Sequence, residues 1–203
     1  MPEDEFHADF EFLRRSQRLS YEEILKVAKV AAGLGVSKIR LTGGEPLLDK
    51  NLPELVAGLA AIAGVDDLAL TTNGMLLPAA AQRLADAGLR RVTISLDSLD
   101  EDVFRHMSGG RGELARVLDG LRAAEEAGLN PIKINVVVQR GVNDHTVMDL
   151  LAHFRGTGHT VRLIEFMDVG NRNGWRLDQV VPSRHLLAEV QRRWPLRRLD
   201  QNY

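Results

Sequence analysis

Apolar residues recur along this chain in two alternating rhythms. Stretches with apolar positions three and four apart, the period of an amphipathic helix, are separated by short runs in which apolar and polar residues alternate one by one, the period of a strand. Ser20, with Glu23 three residues on, forms a capping box before Ile24-Leu25-Val27-Ala28. The helix it predicts ends near Gly33 or Gly35, where glycine accepts the left-handed cap. Lys38–Thr42 then reads as a strand, Leu52–Ala63 as a helix, Leu68–Thr72 as a strand, and Pro78–Ala87 as a helix closed by Gly88. Arg91–Leu96 is a third strand, followed by helices over Glu101–His106 and Glu113–Ala127. Ile132–Val138 is a fourth strand, Thr146–Arg155 a helix, Thr160–Glu165 a fifth strand, and Ser183–Trp194 a last helix stopped by Pro195. Strands alternating with helices predict an α/β fold with a parallel sheet and right-handed crossovers. The segment from Asp168 to Pro182, rich in Gly, Asn and Asp, is the longest loop and suits a functional one.

The strands are not the continuous apolar runs of a doubly wound sheet. Ile39 and Leu41 alternate with Arg40 and Thr42. Leu68 and Leu70 alternate with Thr71 and Asn73. Val92, Ile94 and Leu96 alternate with Thr93, Ser95 and Asp97, and Ile132, Ile134, Val136 and Val138 with Lys133, Asn135 and Gln139. Each strand therefore has one apolar and one polar side. Helices cover the apolar side, so the polar side faces a shared interior, as in a closed or partial (β/α) barrel. A threonine or serine there is accounted for by bonds to neighbouring backbone. Arg40 and Lys133 are not, because buried cations need a partner, which a bound anion supplies. Polar clusters also end the strands, at Thr42-Gly43-Gly44-Glu45-Pro46, Thr71-Thr72-Asn73-Gly74, Ser95-Leu96-Asp97-Ser98 and Glu165-Phe166-Met167-Asp168. Barrels of this kind place binding groups at those ends, and the glycine pair allows close backbone approach to a ligand.

Composition narrows the chemistry. The 203 residues carry 26 Lys and Arg against 28 Asp and Glu, which argues against nucleic acid as a partner. No run of 18 apolar residues exists, and the acidic MPEDEFHADF start is not a signal peptide, so no membrane and a cytoplasmic location are expected. There is no cysteine, hence no disulfide, thiolate metal site or cysteine-held iron–sulfur cluster in this chain. None of the six histidines falls in a paired metal-ligand spacing, and no P-loop is present. Ser108-Gly109-Gly110-Arg111-Gly112 reads as a turn between helices, with a phosphate cradle at a helix start as the alternative, and Arg192, Arg193, Arg197 and Arg198 as a solvated basic surface.

The segment Lys38-Ile39-Arg40-Leu41-Thr42-Gly43-Gly44-Glu45-Pro46-Leu47 resembles the GGEP region of radical S-adenosylmethionine (radical SAM) enzymes. Thr71-Thr72-Asn73-Gly74, Ser95-Leu96-Asp97-Ser98, Lys133-Ile134-Asn135-Val136-Val137 and Glu165-Phe166-Met167-Asp168-Val169-Gly170-Asn171 narrow the resemblance to the GTP 3′,8-cyclase family of molybdenum cofactor biosynthesis. That resemblance implies a partial (β/α) barrel, S-adenosylmethionine and 4Fe-4S clusters as cofactors, and GTP as substrate. It also implies a homodimer and a downstream cyclic pyranopterin synthase as partner. By resemblance, Gly44, Ser95 and Met167 match S-adenosylmethionine-binding positions, with Glu45 and Asn73 near the same ligand. Arg40, Thr71 and Lys133 match GTP-binding positions. Met167 read without the resemblance is a core residue. In the family Met1-Pro2-Glu3 directly follows the last cysteine of the cluster loop. The expectation is therefore that residues 1–203 form one partial barrel domain, truncated at both ends and lacking the first strand and all cluster ligands. Two alternatives stand beside this: another radical SAM enzyme with a different substrate, and a non-catalytic nucleotide-binding module.

Overall fold

A computed structural model describes residues 17–167 and 175–199. The helices α1 (Tyr21–Gly33), α2 (Leu52–Ala60), α3 (Leu77–Asp86), α4 (Glu101–Met107), α5 (Leu114–Glu126), α6 (Val147–Phe154) and α7 (Ser183–Arg193) alternate with strands β1 (Lys38–Leu41), β2 (Asp67–Thr72), β3 (Arg91–Ser95), β4 (Lys133–Val138) and β5 (Thr160–Glu165). The five strands form one parallel sheet in the order β1-β2-β3-β4-β5. Each strand lies beside its predecessor, the winding that curls a sheet toward a barrel rather than reversing at a switch point. Among the described residues β1 and β5 are the edges.

Local chemistry sets the boundaries. Ser20 Oγ accepts the Glu23 amide at 3.2 Å, and the Ser20 amide donates to the Glu23 carboxylate at 2.7 Å, completing the capping box of α1. α2 stops short of Ala63 because its last turn tightens into bonds three residues apart, from Ile62 to Leu59 and from Val65 to Ile62. α7 stops before Trp194, which precedes Pro195 and takes extended backbone at φ −139° and ψ 141°.

The core lies between the outer face of the sheet and the helices. Leu68, Leu70, Val92, Ile94, Ile132, Ile134, Val136 and Val138 are buried along the strands, against Val56, Leu59, Leu77, Leu84, Val117, Ala124 and Leu150 from the helices. Glu165 also belongs to this outer side, where its carboxylate accepts both the amide and the hydroxyl of Ser183 at 2.6 Å and so anchors the start of α7. The strand-end cluster it was grouped with is thus divided, and Asp168, Val169, Gly170 and Asn171 lie outside the described residues. The rest of the long loop closes on β4: the Arg140 amide donates to the Gln179 carbonyl at 2.8 Å, and Gln139 bridges Val180.

Candidate functional site

Strand register assembles the inner face. Arg40 is the partner of Ala69, and Ala69 of Arg91; Thr71 is opposite Thr93, Thr93 opposite Lys133, and Lys133 opposite Thr160. One step further along the strands, Ser95 faces Asn135, and Asn135 faces Arg162. The cations Lys38, Arg40, Arg91, Lys133 and Arg162 share this face with the carboxylates Asp67 and Asp97. Arg91 is committed to Asp67, with Nε donating to Oδ1 at 2.8 Å, and the arginine holds the Asp67 carboxyl below the usual carboxylate range. Arg40 reaches along the sheet to donate to Thr71 Oγ1 at 3.0 Å and Thr93 Oγ1 at 2.9 Å. Both hydroxyls accept, so their own hydrogens remain to donate to a ligand. Desolvation lowers the pKa of Lys133, and Arg91, Arg162 and Arg40 lower it further against the opposing pull of Asp67. An anion bound beside Lys133 relieves the repulsion that these arginines exert on its ammonium.

This arrangement brings Arg40, Thr71 and Lys133 together as expected, and adds Arg91 and Arg162. The missed arginines had a signal: Arg91 has the parity of Thr93, and Arg162 sits between the outward Val161 and Leu163. The face is also less uniformly polar than the strand pattern suggests, because Ala69, Val137 and Ile164 share its parity.

The carboxyl ends of the strands carry the other predicted group. Gly44, in the turn after β1, is exposed, and a Cβ there meets nothing within 4 Å, so the backbone is open to a ligand. Ser95 is exposed at the end of β3. Met167, after β5, is 54 % exposed and is not a core side chain. Glu45 and Asn73 do different work. Glu45 Oε1 accepts the Leu47 amide at 3.0 Å and the Thr72 hydroxyl at 2.7 Å, while Oε2 accepts the Asn73 amide at 2.8 Å. Asn73 Oδ1 accepts the Met75 amide at 3.0 Å, and Thr72 Oγ1 accepts the Gly74 amide at 3.1 Å. These side chains knit the turn after β1 to the end of β2.

Beyond Ser95, Asp97 and Asn143 hold the tops of β3 and β4 together. Asp97 Oδ1 accepts the Val137 amide at 2.8 Å, and Asn143 Nδ2 donates to the Asp97 and Val137 carbonyls, each at 2.8 Å. Burial pushes the Asp97 carboxyl up, against the lowering by the Val137 amide. A carboxyl whose folded pKa is raised stabilises fully below its unfolded pKa and loses that contribution as pH rises through the folded value. Asp97→Asn keeps an oxygen for Val137 and removes the buried charge. Its urea midpoint is expected above wild type at pH 7, with the gain shrinking as pH falls through the carboxylate range. An advantage equal at both pH values contradicts the assignment.

The sequence profile of the Radical SAM superfamily matches residues 5–154. The chain belongs to the radical SAM superfamily. Among curated relatives, the GTP 3′,8-cyclase of Xanthomonas axonopodis pv. citri is 54 % identical over 203 residues, covering 100 % of this chain and 60 % of the relative. That of Staphylococcus aureus strain JH9 is 41 % identical, covering 100 % and 59 %. The chain thus spans about three fifths of the length of these relatives. Among solved structures, methylornithine synthase covers 89 % of this chain and 54 % of its own, with a TM-score of 0.69 and 20 % identity. The FeFe-hydrogenase maturase of Carboxydothermus hydrogenoformans covers 78 % and 40 %, with a TM-score of 0.64 and 22 % identity. These likenesses confirm the radical SAM barrel fold.

The radical SAM cofactors meet this chain unequally. A cysteine-held iron–sulfur cluster does not fit, since the chain contains no cysteine, and among the described residues no three His, Cys, Asp or Glu side chains gather as a metal site. S-adenosylmethionine fits better: the open Gly44 backbone and the exposed Ser95 and Met167 side chains lie at the carboxyl ends of β1, β3 and β5. Among the described residues no helix is long and apolar enough to cross a membrane.

Proposed function

We propose that this chain is the ligand-holding sheet of a GTP 3′,8-cyclase, the enzyme that converts GTP to 3′,8-cyclo-GTP in molybdenum cofactor biosynthesis. The observation that carries the reading is the cationic inner face, on which Arg40 and Lys133 surround two threonine hydroxyls. A triphosphate offsets those charges and accepts from those hydroxyls. Arg40, Thr71 and Lys133 bind GTP, and Arg162 extends the same field. At the strand ends the Gly44 backbone, Ser95 and Met167 hold S-adenosylmethionine, with Met167 presenting a soft apolar surface to the adenine. Glu45 and Asn73 shape that end of the site. Given one electron from an iron–sulfur cluster that no cysteine of this chain ligates, bound S-adenosylmethionine would supply the hydrogen-abstracting chemistry; the residues of this chain bind and orient both ligands. The sequence of the cyclases supports the reading, at 54 % identity over the whole of this chain. The same reading takes residues 1–203 as one partial barrel domain in the cytoplasm, acting as a homodimer that passes its product to a cyclic pyranopterin synthase.

Titration of the purified chain with GTP tests it. Arg40→Ala and Lys133→Ala are each expected to weaken GTP binding about tenfold to a hundredfold, the worth of one charge-assisted contact. Affinity is expected to fall with added salt. Unchanged affinity in both variants sinks the assignment.

A further inference from the structure

The ladder between β3 and β4 changes its chemistry just past Ser95. The last pair in register is Ser95 with Asn135, and the Leu96 amide still donates to the Asn135 carbonyl at 3.0 Å. β4 runs on to Val138, paired there with β5 alone. A continuing β3 would meet the Val137 amide with a backbone carbonyl. Instead the Asp97 carboxylate accepts that amide, and the Asn143 carboxamide donates to both the Asp97 and the Val137 carbonyl. Asn143 Oδ1 accepts the Gln139 amide at 2.9 Å, so both ends of the carboxamide are engaged, and the residue is fully buried. From the other side Ser98, also fully buried, donates to Thr146 Oγ1 at 2.9 Å, and that hydroxyl donates to the Asn143 carbonyl at 3.0 Å.

A backbone rung holds neighbouring strands about 4.8 Å apart. A carboxamide lodged between two carbonyls holds them farther apart, so β3 and β4 part at this level. A buried side-chain network costs more to build than one further rung, because each of its groups must be desolvated and matched. Closing the sheet does not require it. What the parting does is leave Ser95 exposed at the last position of β3, beside the point where the strands separate. We propose that Asn143 is a positioning residue for the S-adenosylmethionine site: by gripping β3 and β4 where they part, it fixes the direction in which Ser95 presents its hydroxyl. This rests on the assignment of Ser95 to S-adenosylmethionine above and adds to it the residue that sets its geometry. Asn143 is enclosed, so it acts through Asp97 and the end of β3 rather than by touching the ligand.

The test is a double-mutant cycle with Ser95→Ala, read by calorimetric titration of the purified chain with S-adenosylmethionine and scaled to the folded fraction. Asn143→Ala is expected to weaken binding about tenfold in the wild-type background and less than about twofold in the Ser95→Ala background, because the contact it positions is already gone. A residue that only supports the fold lowers the urea midpoint but leaves the affinity of the folded fraction unchanged, or weakens it equally in both backgrounds. Either result overturns the inference. Should Asn143→Ala not fold, Asp97 carries the same test. Asp97→Ala, which releases the Val137 amide, is expected to lose about as much affinity as Asn143→Ala, and Asp97→Asn, which keeps the accepting oxygen, to recover most of it. Equal loss in both Asp97 variants marks a carboxylate that pairs with the cationic ligand directly, and overturns the positioning role. GTP affinity is expected to stay within about twofold throughout, since Arg40 and Lys133 lie before the point of parting; a parallel loss marks a disordered sheet and also overturns the inference. Those outcomes leave the Ser95 assignment standing. A Ser95→Ala variant that binds S-adenosylmethionine as wild type does, or a wild type that does not bind it, overturns the assignment and the inference together.

Discussion

Glu45→Ala is expected to lower the unfolding free energy by about 3 kcal/mol, because one carboxylate holds two backbone amides and a hydroxyl that no other group replaces. In urea this is a midpoint shift of about 1.5 M at a slope of about 2 kcal/mol per M. Glu45→Gln is expected to fall between, since its amide oxygen keeps one side of the clamp and its NH₂ opposes a donor on the other. The effect belongs to the turn after β1: without the clamp, the Gly43-Gly44 backbone is no longer fixed against the end of β2. Binding of S-adenosylmethionine, titrated on the folded fraction, is therefore expected to weaken together with stability. The contrary role, a glutamate that touches the ligand itself, predicts lost binding at an unchanged urea midpoint. That result overturns the clamp.

The same residue marks how far sequence reasoning reaches. The period of apolar positions placed each strand and helix close to where it lies, because burial of one face is what forms these elements. Parity along each strand separated the face of Arg40, Thr71 and Lys133 from the face of Leu70 and Ile134. What parity leaves open is register, which depends on how neighbouring strands slide and tilt. Hence parity puts Arg91 and Arg162 on the inner face, while their pairing with Ala69 and Asn135 is what sets them beside Arg40 and Lys133. Motifs carry a different ambiguity. Glu45 and Asn73 stand in segments that resemble ligand-binding ones, yet a side chain that builds a loop and one that touches the ligand leave the same mark in sequence.

Gly120→Ala is expected to reverse the usual sign of a glycine replacement in a helix. In a helix interior alanine is favoured by about 1 kcal/mol. Here a Cβ on Gly120 stands 2.1 Å from the carbonyl oxygen of Gly74 and 3.2 Å from Leu77 Cβ, so α5 rests directly on the backbone where β2 turns into α3. No rotamer change relieves a clash with a carbonyl, and α5 cannot retreat without opening the core around Val117, Leu121 and Ala124. A net loss of about 2–3 kcal/mol follows. The contact is also functional in its consequences. Gly74 has φ +84°, and its amide donates to Thr72 Oγ1, whose hydroxyl donates in turn to Glu45. Pressure from α5 therefore reaches the turn that presents Gly44, and Gly120→Ala is expected to weaken S-adenosylmethionine binding as well as stability. Gly33→Ala, at the end of α1 with nothing within 4 Å of the added carbon, is the matched control and is expected to leave both nearly unchanged. Equal denaturation midpoints for the two alanine variants contradict the packing of α5 on the β2–α3 turn, because only a displaced helix leaves room for the Gly120 methyl.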